Sequence, residues 1–491
     1  MGADKLLGHR MCRSAVVIAA CLALLAGIGM GRFGVAPGFG LLWFLVPLLA
    51  LSLRRQNILT LVSLAAIMFC IGASRGALYA HKLAAYHNIY GQKVTLVGRA
   101  TDDGVYGARY QLTFGLSDAR IVTPHTAQLV GDIRVGGFGA PAIYRGDVVR
   151  VTGKLMPAQG NAQAQIGFGK LVVLEHHPSG VDTLRRRFAA GLQSALPEPL
   201  ASFGLGLLVG QRNTLPDATK QQLLMVGLTH IIAVSGYNLT IILRATRKAL
   251  GNFSKFQATA ACVALTGVFL LFTGNSPSIV RAAIVSMLSI AAWYYGRDIK
   301  PLVLLLVAAS ITALANPLYV WGNVSWYLSF LAFFGVLVLA PLVTKRLFGV
   351  REPRLLTAIV IESLCAEAMT LPYVLHVFGQ MSFTALLANV LVVALVPLAM
   401  LLSLVAGLGG MLAPVVAGWL AWPARLLLTY MLDIATILSR VPHAFVQHVQ
   451  FSFVSMLAAY SGVGFIAWVM WRKLKTKYGT ITDRNVDAEG D

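Results

Sequence analysis

The chain has 491 residues, 57% of them hydrophobic and 12% charged, with 40 Lys and Arg against 19 Asp and Glu for a formal charge of +21. Apolar runs of membrane-spanning length recur along most of it, which excludes an ordinary soluble domain and indicates a polytopic membrane protein. The positive-inside rule accounts for much of the basic excess, and five cysteines, all in or beside apolar runs, suggest neither a disulfide framework nor a zinc site.

The first thirty residues combine a basic start with an apolar core, but they lack a small-x-small cleavage site and further spans follow closely. They read as an uncleaved first span. Apolar runs over 14–31, 38–53 and 58–79 make a three-helix membrane segment within residues 1–84. Arg10 and Arg13 precede the first helix, and Arg54 and Arg55 separate the second from the third. With those clusters cytoplasmic, the third helix runs outward and residues 85–178 lie on the extracytoplasmic side.

Residues 85–178 are polar and have the size of a small domain. The segments "QKVTLVGRATDDG", "ARYQLTFGLSDARIV", "GDIRVGGFG" and "GDVVRVTGKLM" alternate apolar and polar residues between Gly, Asp and Pro. That period predicts five or six half-buried strands and a small barrel, the five-stranded OB type in first place. Between Lys82 and Glu175 there are ten basic and six acidic residues, a positive excess where the inside rule does not operate. Arg99, Arg109, Tyr110, Arg134 and Lys154 are the candidate DNA contacts of this domain. Tyr106, Phe114, Phe138 and Tyr144 are further candidates for stacking on bases, with core packing as the alternative use of such residues.

A basic, amphipathic stretch, "DTLRRRFAAGLQSAL", leads into a second membrane section over residues 179–471. Its predicted spans are 199–211, 222–243, 256–274, 277–295, 301–316, 320–342, 355–378, 382–407, 411–439 and 451–471. The first is too short to cross. With it set aside, the basic clusters at 244–255, 297–300, 345–354 and 472–477 alternate consistently, about twelve segments cross, and both termini are cytoplasmic. The tail 472–491 is polar and reads as too short to fold.

Polar groups interrupt the apolar runs. In "GLTHIIAVSGYNLTIILR", His230, Tyr237 and Arg244 are spaced by seven, which puts them on one stripe of an unbroken helix, although Ser235-Gly236 is a plausible break. His230, Ser235 and Asn238 either bond neighbouring helices or face a wet path. In "FTGNSPSIVRAAIVS", Ser276 before Pro277 is an N-cap signal, and Arg281 sits one turn inside. That arginine either snorkels to the interface or presents its guanidinium to an anion. In "LLTAIVIESLCAEAMTLPYVLHVFGQ", Glu362 and Glu367 are costly mid-span carboxylates open to proton relay, ion pairing or neutral packing, and Pro372 predicts a kink. The chain has no P-loop, its histidines form no metal-ligand cluster, and Ser235 with His230 make a poor hydrolase pair because five residues along a helix separate their faces.

The segment "GLLVGQRNTLPDATKQQLLMVGLTHIIAVSGYNLTII" resembles the central motif of ComEC-type competence proteins, inner-membrane channels for DNA uptake in natural transformation. "TGNSPSIVRA", "NPLYVWGNVSWYLSFLAFFGVLVL" and "TLPYVLHVFGQMSFTALLANVLVVALVP" follow in the family's order, and the resemblance covers about residues 15 to 470. It implies that one DNA strand crosses the membrane here. The matching positions are Gly210, Arg212, His230, Ser235, Gly236, Pro277, Ser278, Arg281, Ser329, Pro372, Gly379, Gln380 and Asn389. Three departures stand out: Tyr237-Asn238 after Ser-Gly, Tyr327 where the family commonly has Gln, and Glu367 at another expected Gln. The implied lining of the DNA path is thus Arg212, His230, Ser235, Asn238, Arg281, Tyr327, Glu367, Gln380 and Asn389.

Many members of that family continue into a metallo-β-lactamase-like domain, and no H-x-H-x-D-H motif is present in this chain. The expectation is a channel that is not itself an enzyme, with no cofactor or metal. Its partners are single-stranded DNA, membrane lipid, an external DNA receptor, a separate nuclease and a cytoplasmic helicase-like ATPase. The rival expectation is a proton-coupled transporter of a small anion or lipid that uses Glu362 and Glu367.

Overall fold

The computed structural model describes residues 13–34 and 58–487, apart from 107–110, 124–125, 159–161, 178, 211–213, 233–235, 274–276, 297–299, 350 and 352. Two compact units divide the chain: residues 1–187 with 306–327, and residues 188–305 with 328–491. Among the described residues, eight helices are long and apolar enough to cross a membrane. Three shorter apolar helices, Leu200–Val209, Ser278–Tyr294 and Pro301–Ala315, accompany them. The protein is therefore a polytopic helical membrane protein with an inserted β-barrel. The predicted span 38–53 lies outside the described residues.

In the first unit, helix Arg13–Gly31 packs along helix Ile58–His87 with almost no side chain between the backbones. A Cβ on Gly27 would stand 2.2 Å from the Phe69 carbonyl oxygen, and one on Gly72 2.3 Å from that of Leu24. Small residues permit this approach, which dispersion forces and lipid entropy favour inside a membrane. Trp321 Nε1 donates to the Ile28 carbonyl at 2.8 Å. Arg75 donates through Nε and Nη2 to the carbonyls of Leu314 and Ala315, satisfying the open C-terminal end of helix Pro301–Ala315.

The barrel is built from β1 (Lys93–Ala100), β2 (Leu112–Thr123), β3 (Ile133–Phe138), β4 (Val148–Lys154) and β5 (Ala164–Glu175). Strand β1 pairs with β2 and β4, β2 with β3, β4 with β5, and β3 with β5 in parallel, so the sheet closes in the order 1-2-3-5-4-1. That closure leaves no free edge. Buried and exposed residues alternate along β1 and β4, and Leu96, Leu116, Ile133, Val149, Val151 and Leu171 are fully buried inside. Phe114 belongs to this core, so it has no ring surface to offer a base. The last turn of helix Ile58–His87 plugs the barrel: Tyr86 is buried, and its hydroxyl donates to the Val130 carbonyl at 3.1 Å.

In the second unit, the amphipathic stretch forms helix Gly180–Ala195 and buries Phe188, Gly191 and Leu192. Gly191 meets Gly407 and Gly410 of helix Val396–Leu412 backbone to backbone. The predicted span 222–243 is divided at Gly227, where helix Asp217–Met225 ends before helix Thr229–Ile232. Tyr237 lies on helix Gly236–Ala249, and residues 233–235, which join it to His230, lie outside the described residues. The helix Val324–Phe334 passes into a π-helical segment, Gly335–Leu339. Gly335 explains where it falls: a Cβ there would stand 2.4 Å from the Cys365 carbonyl oxygen, so the neighbouring helix Leu355–Phe378 lies against bare backbone. That neighbour stays helical through Pro372.

The tail corrects its expectation. Helix Phe453–Asp487 runs sixteen residues beyond Trp471 instead of ending there. Extending a helix already nucleated by an apolar span costs far less than starting one, so a segment too short to fold alone continues the existing coil.

Candidate functional site

The site is built around the interrupted stretch of the second unit. Helix Leu200–Val209 is ten residues long, about 15 Å at 1.5 Å per residue, half of what a bilayer requires. Gly210 ends it in the left-handed region at φ 76°, and its N–H donates to the Gly206 carbonyl. Arg212, the first predicted lining residue, lies just past this cap and outside the described residues, as does Ser235.

Gly227 is the second left-handed glycine, at φ 77°. A Cβ there would stand 2.8 Å from that of Ala385, because the turn 226–228 sits on the start of helix Ala385–Val392. This contact brings two motif segments together, the one carrying His230 and the one carrying Gln380 and Asn389. Gly379 turns the chain at φ 60°, its carbonyl accepts from the Val449 N–H at 2.9 Å, and a two-residue ladder pairs Met381–Ser382 with Phe445–Val446. Gln380 lies half-buried on this braced turn.

His230 donates through Nδ1 to the Gly227 carbonyl at 3.0 Å, since a carbonyl can only accept. The bond leaves Nε2 for other partners. The side chain is exposed on the protein surface.

Arg281 sits one turn inside helix Pro277–Tyr294 and has no solvent exposure. Its guanidinium carbon lies 5.0 Å from the centre of the Phe330 ring and 5.9 Å from that of Phe333. Ring quadrupoles attract a cation at such distances, most strongly where water is excluded. The interface-snorkelling reading does not fit a guanidinium enclosed in this way. Leu239 and Leu243 pack in one cluster with Ala282 and Ala283, so the helix carrying Asn238 lies directly beside the helix carrying Arg281.

The remaining predicted residues occupy different settings. Glu367 is half-buried on helix Leu355–Phe378 and makes no ion pair among the described residues. The neighbouring Cys365 and Met369 pack against Tyr460, whose hydroxyl donates to the Met369 carbonyl at 2.9 Å. Asn389 has a side-chain oxygen sealed from solvent with no hydrogen-bond partner among the described residues. Tyr327 belongs to the first unit, where its hydroxyl donates to the Val320 carbonyl. Ser329, one residue before Phe330, is half-buried.

Sequence reasoning passed over two groups. Phe330 and Phe333 stand three apart in "YLSFLAFF", a spacing that fixes a shared helix face but not what faces it. Asn323 is buried and its Oδ1 accepts from the Trp326 N–H at 2.8 Å, so the Asn of "WGNVSW" is the cap that starts helix Val324–Phe334. An Asn directly before an apolar helical run was the available signal.

In the barrel, Arg99, Arg134 and Lys154 are exposed, and Arg109 and Tyr110 lie outside the described residues. Tyr106 and Phe138 point outward. Tyr144 carries the Arg186 guanidinium 4.4 Å above its ring. Burial lowers the pKa of the adjacent Arg185, opposed mainly by the charge of Asp103.

The orphan oxygen of Asn389 makes a separable prediction. Removing a buried acceptor that is already unsatisfied leaves nothing newly unpaired, so Asn389→Ala should change thermal stability by no more than about 1 kcal/mol. If the amide contacts the transported molecule, transport falls about tenfold in the same variant. A melting curve and a transport assay on one preparation check this, and unchanged transport would remove Asn389 from the site.

A family model described as competence protein matches residues 207–473, more than half of the chain. ComE operon protein 3 of Bacillus subtilis (strain 168) is 24% identical over 227 residues, a match covering 46% of this chain and 28% of that protein. The chain thus spans less than a third of the length of the curated relative it matches. No solved structure matches it.

Proposed function

The chain belongs to the competence protein family, and from that membership we propose that it conducts one strand of DNA across the cell inner membrane during natural transformation. The barrel meets the strand on the extracytoplasmic side, the helices of the second unit form the conduit, and both termini face the cytoplasm. The observation that carries this reading is the setting of Arg281, a permanently charged group without solvent contact inside an apolar bundle. Such burial is costly, and a charge kept there at the positive end of a helix suits a passing phosphate.

The conduit is closed at rest. An opening wide enough for a nucleotide would otherwise leak ions continuously, so Phe330 and Phe333 cover Arg281 until a strand displaces them. His230, exposed on the protein surface, meets the strand before Arg281 does. Each nucleotide carries one charge, and driving it inward against 100 mV costs about 2.3 kcal/mol. The driving force comes from a cytoplasmic helicase-like ATPase. An external DNA receptor supplies the duplex, and a separate nuclease degrades the second strand.

Labelled DNA supplied to a deletion strain carrying this chain on a plasmid tests the reading. Label should enter a nuclease-protected pool only in the complemented strain; equal protection without the plasmid refutes the role.

Glu367 separates this function from proton-coupled export or import of a small anion. Glu367→Gln keeps the shape and removes the titrating group, and a strand conduit should retain uptake within about twofold, since surrounding contacts change by less than one hydrogen bond's net worth. Loss in Glu367→Gln as complete as in Glu367→Ala would favour proton coupling.

A further inference from the structure

We propose that the outer wall of the barrel formed by β5, β4 and β1 is the surface on which a single nucleic-acid strand lies, with Lys93, Lys154 and Lys170 on its phosphates and Phe168 stacked on a base. The assignment rests on the DNA reading above and adds to it where the strand sits.

The cross-strand register builds the wall. Lys93 of β1 stands directly opposite Lys154 of β4, and both side chains are exposed. Two like charges facing each other across a ladder destabilise a sheet unless something outside neutralises them. Along the same wall, Lys170 of β5 stands opposite Thr152, and Arg150 stands opposite Val172 on one side and Val97 on the other. Val97 in turn pairs with Arg120 of β2. Strands are about 4.8 Å apart and alternate residues about 6.7 Å apart, so neighbouring cations on this wall are spaced roughly 5–10 Å. The acidic group on β5, Glu175, is at the strand's far end and bonded to His177 at 2.9 Å.

Aromatic rings are interleaved with the cations. A register shift between β3 and β5 turns Phe168 outward between two glycines, and its side chain is 64% exposed. It lies one step past the Thr152–Lys170 pair toward Lys154. Phe138 of β3 is paired with Lys170 and also faces out. Isolated exposed phenylalanines are unremarkable; two beside a row of lysines are the arrangement that holds a single strand, with bases on rings and phosphates on ammonium groups. A protein partner would require acidic side chains at this spacing and gives the rings no matching role.

The face of β2 and β3, which commonly binds oligonucleotides in barrels of this topology, is less suited here. Its outward positions on β2 include Thr113, Gly115 and Ser117, and its cations among the described residues are Arg120 and Arg134. Thr101 lies over Gly115, its N–H donating to the Gly115 carbonyl at 2.9 Å.

The test uses the full chain in nanodiscs of zwitterionic lipid and a fluorescein-labelled oligo-deoxythymidine of about twenty nucleotides. Each phosphate contact contributes about 0.7 to the slope of log affinity against log salt for a single strand. Combined Lys93→Gln, Lys154→Gln and Lys170→Gln should therefore flatten the slope by about 2 and weaken binding at least tenfold at low salt. Phe168→Ala should weaken binding about tenfold with the slope unchanged. These positions are exposed, so the variants should melt like the parent; should one melt earlier, Lys154→Gln alone, expected to lower the slope by about 0.7, decides the matter. Parental affinity and slope in the triple variant overturn this wall while leaving the DNA reading in place. Absence of binding by the parent at the lowest salt overturns both. Tighter binding to phosphatidylglycerol vesicles than to the oligonucleotide, lost in the triple variant, overturns the nucleic-acid assignment in favour of lipid.

Discussion

Arg281→Ala is expected to abolish transformation, by about a hundredfold or more, in cells whose membranes hold at least the parental amount of the protein. Charge-assisted hydrogen bonds contribute about 1.5–3 kcal/mol each, and 3 kcal/mol is more than a hundredfold in rate or affinity. The two readouts should move apart because desolvating a cation costs stability. Replacing a buried charge by an apolar group of similar volume is often neutral or stabilising, so Arg281→Met should melt at or above the parental temperature while losing uptake as Arg281→Ala does. Arg281→Lys separates charge from shape. An ammonium keeps the charge but lacks the planar fork that stacks on Phe330 and binds phosphate in two places. It should recover part of the uptake and not all of it. Normal transformation with Arg281→Ala would reduce the arginine to a packing element and remove the proposed closure by Phe330 and Phe333.

Gly410→Val is expected to prevent the second unit from folding. A Cβ on Gly410 would stand 1.9 Å from the Gly191 carbonyl oxygen, and one on Gly191 2.7 Å from the Gly407 oxygen, so the obstacle is backbone and cannot rotate away. Overpacking of this kind costs about 3 kcal/mol. It would also push helix Gly180–Ala195 off helix Val396–Leu412, exposing Phe188, whose ring contacts the position of Gly407. Gly418→Val is the matched control, with no atom within 4 Å of the added carbon. Fluorescence size-exclusion profiles after a heating series should show Gly410→Val aggregated at temperatures where Gly418→Val and the parent stay monodisperse. Equal profiles for the two variants would mean that the helices separate freely.

Much of the architecture follows from chain-local chemistry. Val, Leu and Ala runs of about twenty residues have few stable places other than a bilayer, so spans such as 58–79 and 355–378 were visible before any contact was known. Period-two alternation in "QKVTLVGRA" marked β1 for the same reason. Pro277 marked a helix start, and helix Pro277–Tyr294 is described from that residue on, with Ser276 outside the described residues. The chain around 222–243 was harder to read. Its apolar content indicates one span, while Gly227, favoured wherever a left-handed turn is needed, divides it. The polar tail was misjudged because helix extension depends on what precedes a segment as much as on its composition.

The candidate site was legible only as residue types. A costly arginine and an intramembrane histidine can be recognised in a string of letters, because hydrocarbon penalises them wherever they point. Whether each is exposed or covered depends on partners tens of residues away. Phe330 and Phe333 lie about fifty positions beyond Arg281, and Ala385 more than a hundred and fifty beyond Gly227. No local period encodes such pairings.

Sequence alone determined that this protein lives in a membrane and carries a β-barrel domain, since hydropathy and alternation are sums over neighbouring residues. Tertiary structure decided which strands close the barrel, which wall gathers the lysines, and that Arg281 is roofed by aromatic rings while His230 stays on the surface. Those outcomes are set by contacts between distant segments, where packing and register select one arrangement from many with the same local preferences.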